Sequence, residues 1–302
     1  MINKLFCLRT YNFVENIPVR MENTVLVPID FSEQSLIALK QACHYAKQSG
    51  LSVTLLNVIK TSSGFWNVFS EDEKIQFQIK IEKKLRAEIN KIKEKYGLDA
   101  SLILRMGKVI EEIKRVSDYL EPKLTVIGTS SGSSITRKII GSRALHTIKT
   151  SNFPVISIKG KVHSDTCENI LLPIDGTKET LQKVDVAIEM AKAYNAKISL
   201  VSAIPTKKKK LKELVKTKLN DIEARLKEEN IACTKEIIDT HDDKDKMAFE
   251  IIAYAHKMQA DLIIIMTQRE GGISDFFLGS LAQNIIYSSD IPVLTTKPKD
   301  IN

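Results

Sequence analysis

Asn23-Thr24-Val25-Leu26-Val27-Pro28-Ile29-Asp30 and Glu168-Asn169-Ile170-Leu171-Leu172-Pro173-Ile174-Asp175 are two copies of one pattern. Each is a continuous apolar run that ends in Pro-Ile-Asp. A run apolar at successive positions suits a strand buried on both faces, as in a parallel sheet. The repetition continues outward. Each copy is followed by a later apolar strand, a polar loop and a Gly-Ser pair, Gly141-Ser142 in the first half and Gly279-Ser280 in the second. Each half closes on a Pro-led strand, Phe153-Pro154-Val155-Ile156-Ser157-Ile158 and Ile291-Pro292-Val293-Leu294-Thr295. A period this long marks a duplicated domain and not a solenoid. A chain of 302 residues holds two such domains, each with a real core.

Between these landmarks strands and helices alternate. Ser32 is placed to cap a helix that turns Leu36, Leu39, Ala42 and Ala46 inward, and Gly50 ends it. Residues 53–58 are the next strand. Ile81, Leu85, Ile89, Ile92 and Tyr96 then step by four, four, three and four, a helical stripe closed by Gly97. The second half has the same stripe in Leu211, Val215, Leu219, Ile222 and Leu226. Strands are expected over 102–104, 124–127, 155–158, 198–201, 231–238, 262–265 and 293–294. Helices are expected over 110–120, 139–148, 181–194, 247–256 and 281–287, the first stopping before Pro122. Strands separated by helices of this length imply right-handed crossovers and two doubly wound parallel α/β sheets. His163 to Glu168 is polar and without periodicity. The expected division is a first domain over 22–160, a linker over 161–167 and a second domain over 168–298, with residues 1–21 outside both repeats.

Composition excludes several classes. Apolar content is ordinary for a globular chain, and the run at 262–266 is strand-sized, far short of a membrane span. Residues 1–20 lack a small-residue cleavage site and do not read as a signal peptide. Cys7, Cys43, Cys167 and Cys233 form no CxxC and read as reduced, mostly buried thiols of a cytoplasmic protein. The net charge of +8 comes from scattered lysines, densest at Lys207-Lys208-Lys209-Lys210. With no aromatic interleaving, that run reads as a solvated loop before a helix, so neither nucleic acid nor a membrane is expected as partner.

In an open parallel sheet, ligands sit outside the carboxyl ends of the strands, where strand order reverses. Asp30 and Asp175 both fall there. Each can accept from a ribose hydroxyl, or serve as a turn and helix-capping carboxylate. The fourth strand of the first half runs into Ile127-Gly128-Thr129-Ser130-Ser131-Gly132-Ser133-Ser134, and Gly141-Ser142 opens a helix beyond it. Such a loop offers backbone N–H groups and hydroxyls to phosphate oxygens, and a helix N-terminus favours an anion. Arg137, Lys138 and Arg143 add positive charge. GxGxxG, GxxxxGK[ST] and HExxH are absent. His241-Asp242-Asp243-Lys244-Asp245 lacks the Gly and Glu of a calcium loop and reads as a solvated turn, so no metal is expected. Phe65-Trp66-Asn67-Val68-Phe69 is either cover for the local core or a lid or partner patch.

Taken together, Val27-Pro28-Ile29-Asp30-Phe31-Ser32, the Gly-x-x-Ser-x9-Gly-Ser loop from Gly128 to Ser142 and the closing Phe153-Pro154-Val155 strand resemble the universal stress protein family. The resemblance covers nearly all of 22–159 and again 168–297, and the turn from Gly107 to Ile113 fits it too. It implies a tandem protein of two five-stranded parallel sheets between helices, related to adenine-nucleotide-binding domains. It further implies that Pro28, Asp30, Val58 and Ile127 border an adenosine, and that Gly128, Ser130, Ser131, Gly141, Ser142 and Arg143 face ribose and phosphates. ATP-binding members carry Gly-x2-Gly-x9-Gly-Ser/Thr, so Ser131 departs from the pattern. In the second half Met266 and Arg269 replace both loop glycines. The expectation is ATP or another adenine nucleotide in the first domain and none in the second, whose space Met266 fills. Small members of the family pair through their last strands, so the two halves are expected to form an internal pseudo-dimer with residues 155–158 beside 293–295; a further homodimer is allowed. The implied function is a non-enzymatic stress protein with a nucleotide-sensing first half. The alternatives are an interaction scaffold with both sites lost and a weak ATP hydrolase. The sequence names no client protein.

Overall fold

The computed structural model describes residues 23–61, 66, 68–129, 142–160, 163–177, 179–205, 209–240, 244–269, 276–277 and 279–298. The first half runs β1 (Thr24–Pro28), α1 (Glu33–Ser49), β2 (Ser52–Lys60), α2 (Glu71–Tyr96), β3 (Ala100–Gly107), α3 (Val109–Leu120), β4 (Leu124–Thr129), α4 (Ser142–Thr150) and β5 (Val155–Lys159). The second half runs β6 (Asn169–Pro173), a 3-10 turn (Glu179–Leu181), α5 (Gln182–Tyr194), β7 (Lys197–Pro205), α6 (Lys209–Glu228) and β8 (Cys233–Thr240). It continues through α7 (Lys244–Lys257), β9 (Leu262–Met266), β10 (Gln268–Arg269), β11 (Phe276–Phe277), α8 (Ser280–Ser288) and β12 (Val293–Thr296).

Local chemistry sets the helix ends. The Ser32 hydroxyl accepts from the Ser35 N–H at 3.3 Å, and Gly50 closes α1 at φ 64°. Ser70 and Glu73 form a reciprocal capping box on α2, which Gly97 ends at φ 68°. Both left-handed closures are conformations that glycine adopts without steric cost. The stripes on α2 and α6 face inward: Leu85 and Ile92 on one, Val215, Leu219, Ile222 and Leu226 on the other are buried.

The strands form a ten-stranded sheet in the order β3-β2-β1-β4-β5-β12-β9-β6-β7-β8. Within each half of this sheet all pairings are parallel, and β10 and β11 pair antiparallel as a separate two-stranded sheet. At the centre β5 and β12 pair antiparallel, with Val155 opposite Thr295, Ile156 opposite Leu294 and Ser157 opposite Val293. Equivalent strands meeting antiparallel relate the halves by an approximate twofold axis, as the order of strands also shows. Both strands would otherwise be exposed apolar edges. Matching lysines reach across the seam: Lys159 Nζ donates to the Tyr287 carbonyl at 2.6 Å, and Lys297 Nζ to Asn152 Oδ1 at 3.3 Å. One core continues through the seam, with α1 and α5 side by side and the Tyr45 and Tyr194 rings 6.0 Å apart.

Several expectations shift. The strand expected over 102–104 runs the full length Ala100–Gly107, because it pairs with β2 from Val53 to Lys60. As an edge strand it buries few residues, so only its middle looked apolar. The lysine run does not stop before the helix: Lys209 and Lys210 sit in the first turn of α6, exposed, while 206–208 lie outside the described residues. Trp66 packs on the main core and lies 6.0 Å from Phe69 and 5.8 Å from Phe77, as core cover requires; Phe65 and Asn67 are outside the described residues. Cys43 and Cys167 are buried and Cys233 is half-buried, all free. Burial pushes the Cys43 thiol up to about 12, which leaves almost no thiolate near neutrality. The cluster at 241–243 also lies outside the described residues.

Candidate functional site at the carboxyl edge of the sheet

β1 lies between β2 and β4. The connection from β1 leads one way and the strand entered after α3 lies on the other, so order reverses at this point. Pro28, Asp30, Val58, Ile127 and Gly128 therefore meet at one edge of the sheet. Ser130, Ser131 and Gly141 lie outside the described residues, and of Ser142 and Arg143 only the helical backbone is described.

Side-chain alternation sorts the residues that are described. Leu26, Leu56 and Val58 pack with α3 on one face of the sheet, and Ile127 packs on that face nearer the seam. Val25, Val27, Ile29 and Val126 pack on the other face with α1. Gly128 points to the α1 side. A Cβ built there would stand 2.3 Å from the Gln34 carbonyl oxygen and 2.9 Å from the Ser35 nitrogen. The bare Cα of Gly128 thus lets the first turn of α1 lie directly on β4. Gly128→Ala is expected to cost about 1–3 kcal/mol through forced displacement of that turn, read as a lower denaturant midpoint at unchanged slope.

Asp30 accepts from the Ser32 N–H at 3.0 Å, and Asp175 accepts from the Thr177 N–H at 2.9 Å and its hydroxyl at 2.6 Å. Both carboxylates hold the turn that follows their strand. Burial pushes the Asp30 carboxyl up, but its hydrogen bonds from Ser32, Ser35 and its own backbone bring it below the usual range. At Asp175 burial is again the largest influence, offset by the Lys183 charge, the Thr177 hydrogen bonds and the Lys218 charge, and the carboxyl again ends up low. Phe31, next to Asp30, has φ 62°, an uncommon conformation for a bulky residue, and its ring lies 5.4 Å from Lys84 Nζ.

Asn57 belongs to this edge and was missed. It is buried, and its Nδ2 donates to the Ile29 carbonyl at 2.7 Å, tying the exit of β1 to β2. The one signal was a polar side chain inside the apolar run 53–58.

The second half departs where the glycine is lost. Met266 stands where the first half has Gly128. α1 begins three residues after Asp30, whereas α5 begins seven residues after Asp175, behind a 3-10 turn. A methionine side chain cannot share the space that Gly128 gives to a helix backbone, so the first turn of α5 forms elsewhere. Met266 was expected to fill the ligand space. Instead it lines a cavity of about 310 Å3. Asp175, Thr177, Lys183, Leu211, Ser280 and Ile285 share its walls.

The comparisons with known proteins agree with this architecture. The model of the universal stress protein family matches residues 21–159 and again 166–297. Universal stress protein MJ0531 of Methanocaldococcus jannaschii is 28% identical over 142 residues, 45% of this chain and 81% of that protein. Universal stress protein G of Salmonella typhimurium is 26% identical over 145 residues, 46% of this chain and all 100% of its own length. A universal stress protein from Archaeoglobus fulgidus superposes with a TM-score of 0.74 at 21% identity, over 91% of this chain and 98% of that one. A putative universal stress protein from Pseudomonas aeruginosa superposes at 0.60 and 18% identity, over 91% and 93%. At such identities the superpositions speak for the fold alone. With two strand-helix repeats, a twofold seam between their closing strands and a family match to each half, this chain belongs to the universal stress protein family as a tandem, two-domain member.

Proposed function

We propose that the protein is a non-enzymatic, cytoplasmic stress protein whose first domain (22–160) senses ATP or another adenine nucleotide, joined through 161–167 to a second domain (168–298) that takes no nucleotide. The observation that carries this is the convergence of Pro28, Asp30, Val58, Ile127 and Gly128 on the point where strand order reverses, the place that suits a ligand in an open parallel sheet. Pro28, Val58 and Ile127 give the adenosine an apolar bed on one face. Asp30 keeps its charge at neutral pH and accepts from a ribose hydroxyl. The loop after β4, with Ser130, Ser131, Gly141, Ser142 and Arg143, supplies backbone donors and positive charge to the phosphates. Because the Gly128 side chain position is occupied by α1, the Gly-to-Met change in the second half alters helix packing first and the ligand space as a consequence.

Equilibrium titration with ATP, ADP and AMP tests this. Binding is expected in the intact protein, lost in Gly141→Arg and unchanged in Met266→Gly. Nucleotide bound only through the second domain, or none bound at all, sinks the proposal. Turnover is expected to be negligible. Phosphoryl transfer needs a metal, an oriented water and charge stabilisation at the leaving oxygen. Binding groups that treat ground and transition states alike accelerate nothing. Steady release of phosphate over many turnovers, abolished by Gly141→Arg, is the result that contradicts the non-enzymatic assignment.

A further inference from the structure

The cavity of the second domain contains a group that the first domain lacks. Lys183, on the inward face of α5, is 4% exposed and lines the cavity. α1 and α5 align residue for residue from the two Pro-Ile-Asp sequences to their ends at Ser49 and Tyr194, and the position of Lys183 is held in α1 by Ala38, which is 0% exposed. A buried lysine in place of an alanine is expensive unless something answers its charge. Among the described residues nothing bonds to it: no acceptor lies within hydrogen-bonding reach of Nζ, and no carboxylate oxygen lies within ion-pair distance. Asp175 lines the same cavity but accepts from Thr177.

The surroundings favour one ligand chemistry. Asp175 and Lys183 are the only titratable side chains in the described walls. Lys218 stands just behind, its Nζ donating to the carbonyls of Gly176 and Thr177. Two lysines and one aspartate leave one positive charge uncompensated. The N-terminus of α8 opens onto the same space. Its cap, Gly279, has no side chain to bond the first-turn N–H groups, and Gly279, Ser280, Leu281 and Ala282 all line the cavity. Thr177, Ser202 and Ser280 add hydroxyls, and most of the remaining wall is apolar, with Leu211, Val215, Ile251, Ile265, Met266 and Ile285. At about 310 Å3 the space is at the small end of ligand pockets and opens to solvent on one side.

We infer that the second domain binds a small organic monocarboxylate, its carboxylate held between Lys183 and the N-terminus of α8 and its apolar body seated among Leu211, Val215, Ile251, Met266 and Ile285. This is a site of different chemistry from the nucleotide site proposed for the first domain, and it does not rest on that proposal. One negative charge balances the excess at Lys183, and the apolar wall discriminates against hydrated polyanions such as triphosphate.

The test uses the full chain, calorimetric titration, and two probes of equal length, octanoate and 1-octanol. Octanoate is expected to bind more tightly than octanol by about tenfold or more, the effect of one charge-assisted hydrogen bond. Lys183→Met is expected to remove this preference while octanol still binds, which shows that the cavity survives. Lys183→Gln, which keeps a donor but no charge, is expected to lose most of the preference as well. Equal affinity for the two probes in the wild type, an unchanged preference in both variants, or no octanoate binding at millimolar concentration would each overturn the inference. ATP titrated into the same samples keeps the two proposals apart, because Lys183→Met leaves nucleotide binding unchanged whichever way octanoate behaves.

Discussion

Leu294→Ala is expected to lower the unfolding free energy by about 2–5 kcal/mol, in one transition that takes both halves of the chain together. Leu294 is 0% exposed and sits on β12, opposite Ile156 of β5 and beside Ile264 of β9. It belongs to the core cluster that runs from the first half into the second. Truncation removes transfer free energy and leaves a void that close-packed neighbours on both sides cannot fill. Because the sheet and the α1–α5 contact cross the seam, neither half loses support alone. Equilibrium denaturation followed by far-ultraviolet circular dichroism and by the single tryptophan, Trp66 in the first half, checks this. Coincident curves with a lowered midpoint are expected. If the tryptophan signal kept its wild-type midpoint while part of the circular dichroism melted early, the halves would be independent, and the seam would carry far less energy than its burial implies.

Lys183→Met moves stability the other way. Burial pushes the Lys183 ammonium well below the usual lysine range, more than the nearby Asp175 charge restores. Below the depressed folded value, both folded and unfolded chains carry the proton and the full desolvation cost is present. Between that value and the ordinary 10.5, only the unfolded chain holds the proton, so wild-type stability rises with pH; above 10.5 the cost has vanished. Replacing the cation with an apolar side chain of similar length is expected to raise stability by about 1–4 kcal/mol near neutrality, and the gap between variant and wild type should narrow as pH climbs toward 10.5. Thermal melts at a series of pH values measure it. A variant less stable than wild type at neutral pH would mean that Lys183 is already compensated inside the protein. A more stable variant that has lost its preference for octanoate would show a residue kept for a ligand at the expense of the fold.

The two halves differ most where one small residue meets a helix. Gly128 lets α1 start three residues after its aspartate, and Met266 obliges α5 to start a turn later. In the second half the 3-10 turn Glu179–Leu181 takes the place of the first turn of α1, and the cavity is lined on that side by Gly176, Thr177 and Lys183. A glycine that the family resemblance assigns to phosphate binding thus also seats a helix, and the methionine in its place lines a cavity.

Much of this protein was legible in its residue order. Pro-Ile-Asp written twice, the four-four-three-four stripes, Ser32 and the glycines at 50 and 97 are local signals. Each depends on a residue and its near neighbours along the chain, so periodicity and capping chemistry suffice to find them. The pairing of the two closing strands also followed, from the resemblance and from the need to cover two apolar edges. The edge strands β3 and β8 were harder, because a strand covered on one side carries polar residues that blur its pattern. What lay beyond the sequence were relations across the fold: Asn57 bonding the Ile29 carbonyl, Gln34 against Gly128, and Lys183 and Asp175 lining one cavity. A sequence states which face a side chain takes. Whether that face meets a helix, a partner or a cavity depends on how separate elements pack, and a single methionine in place of a glycine was enough to change it.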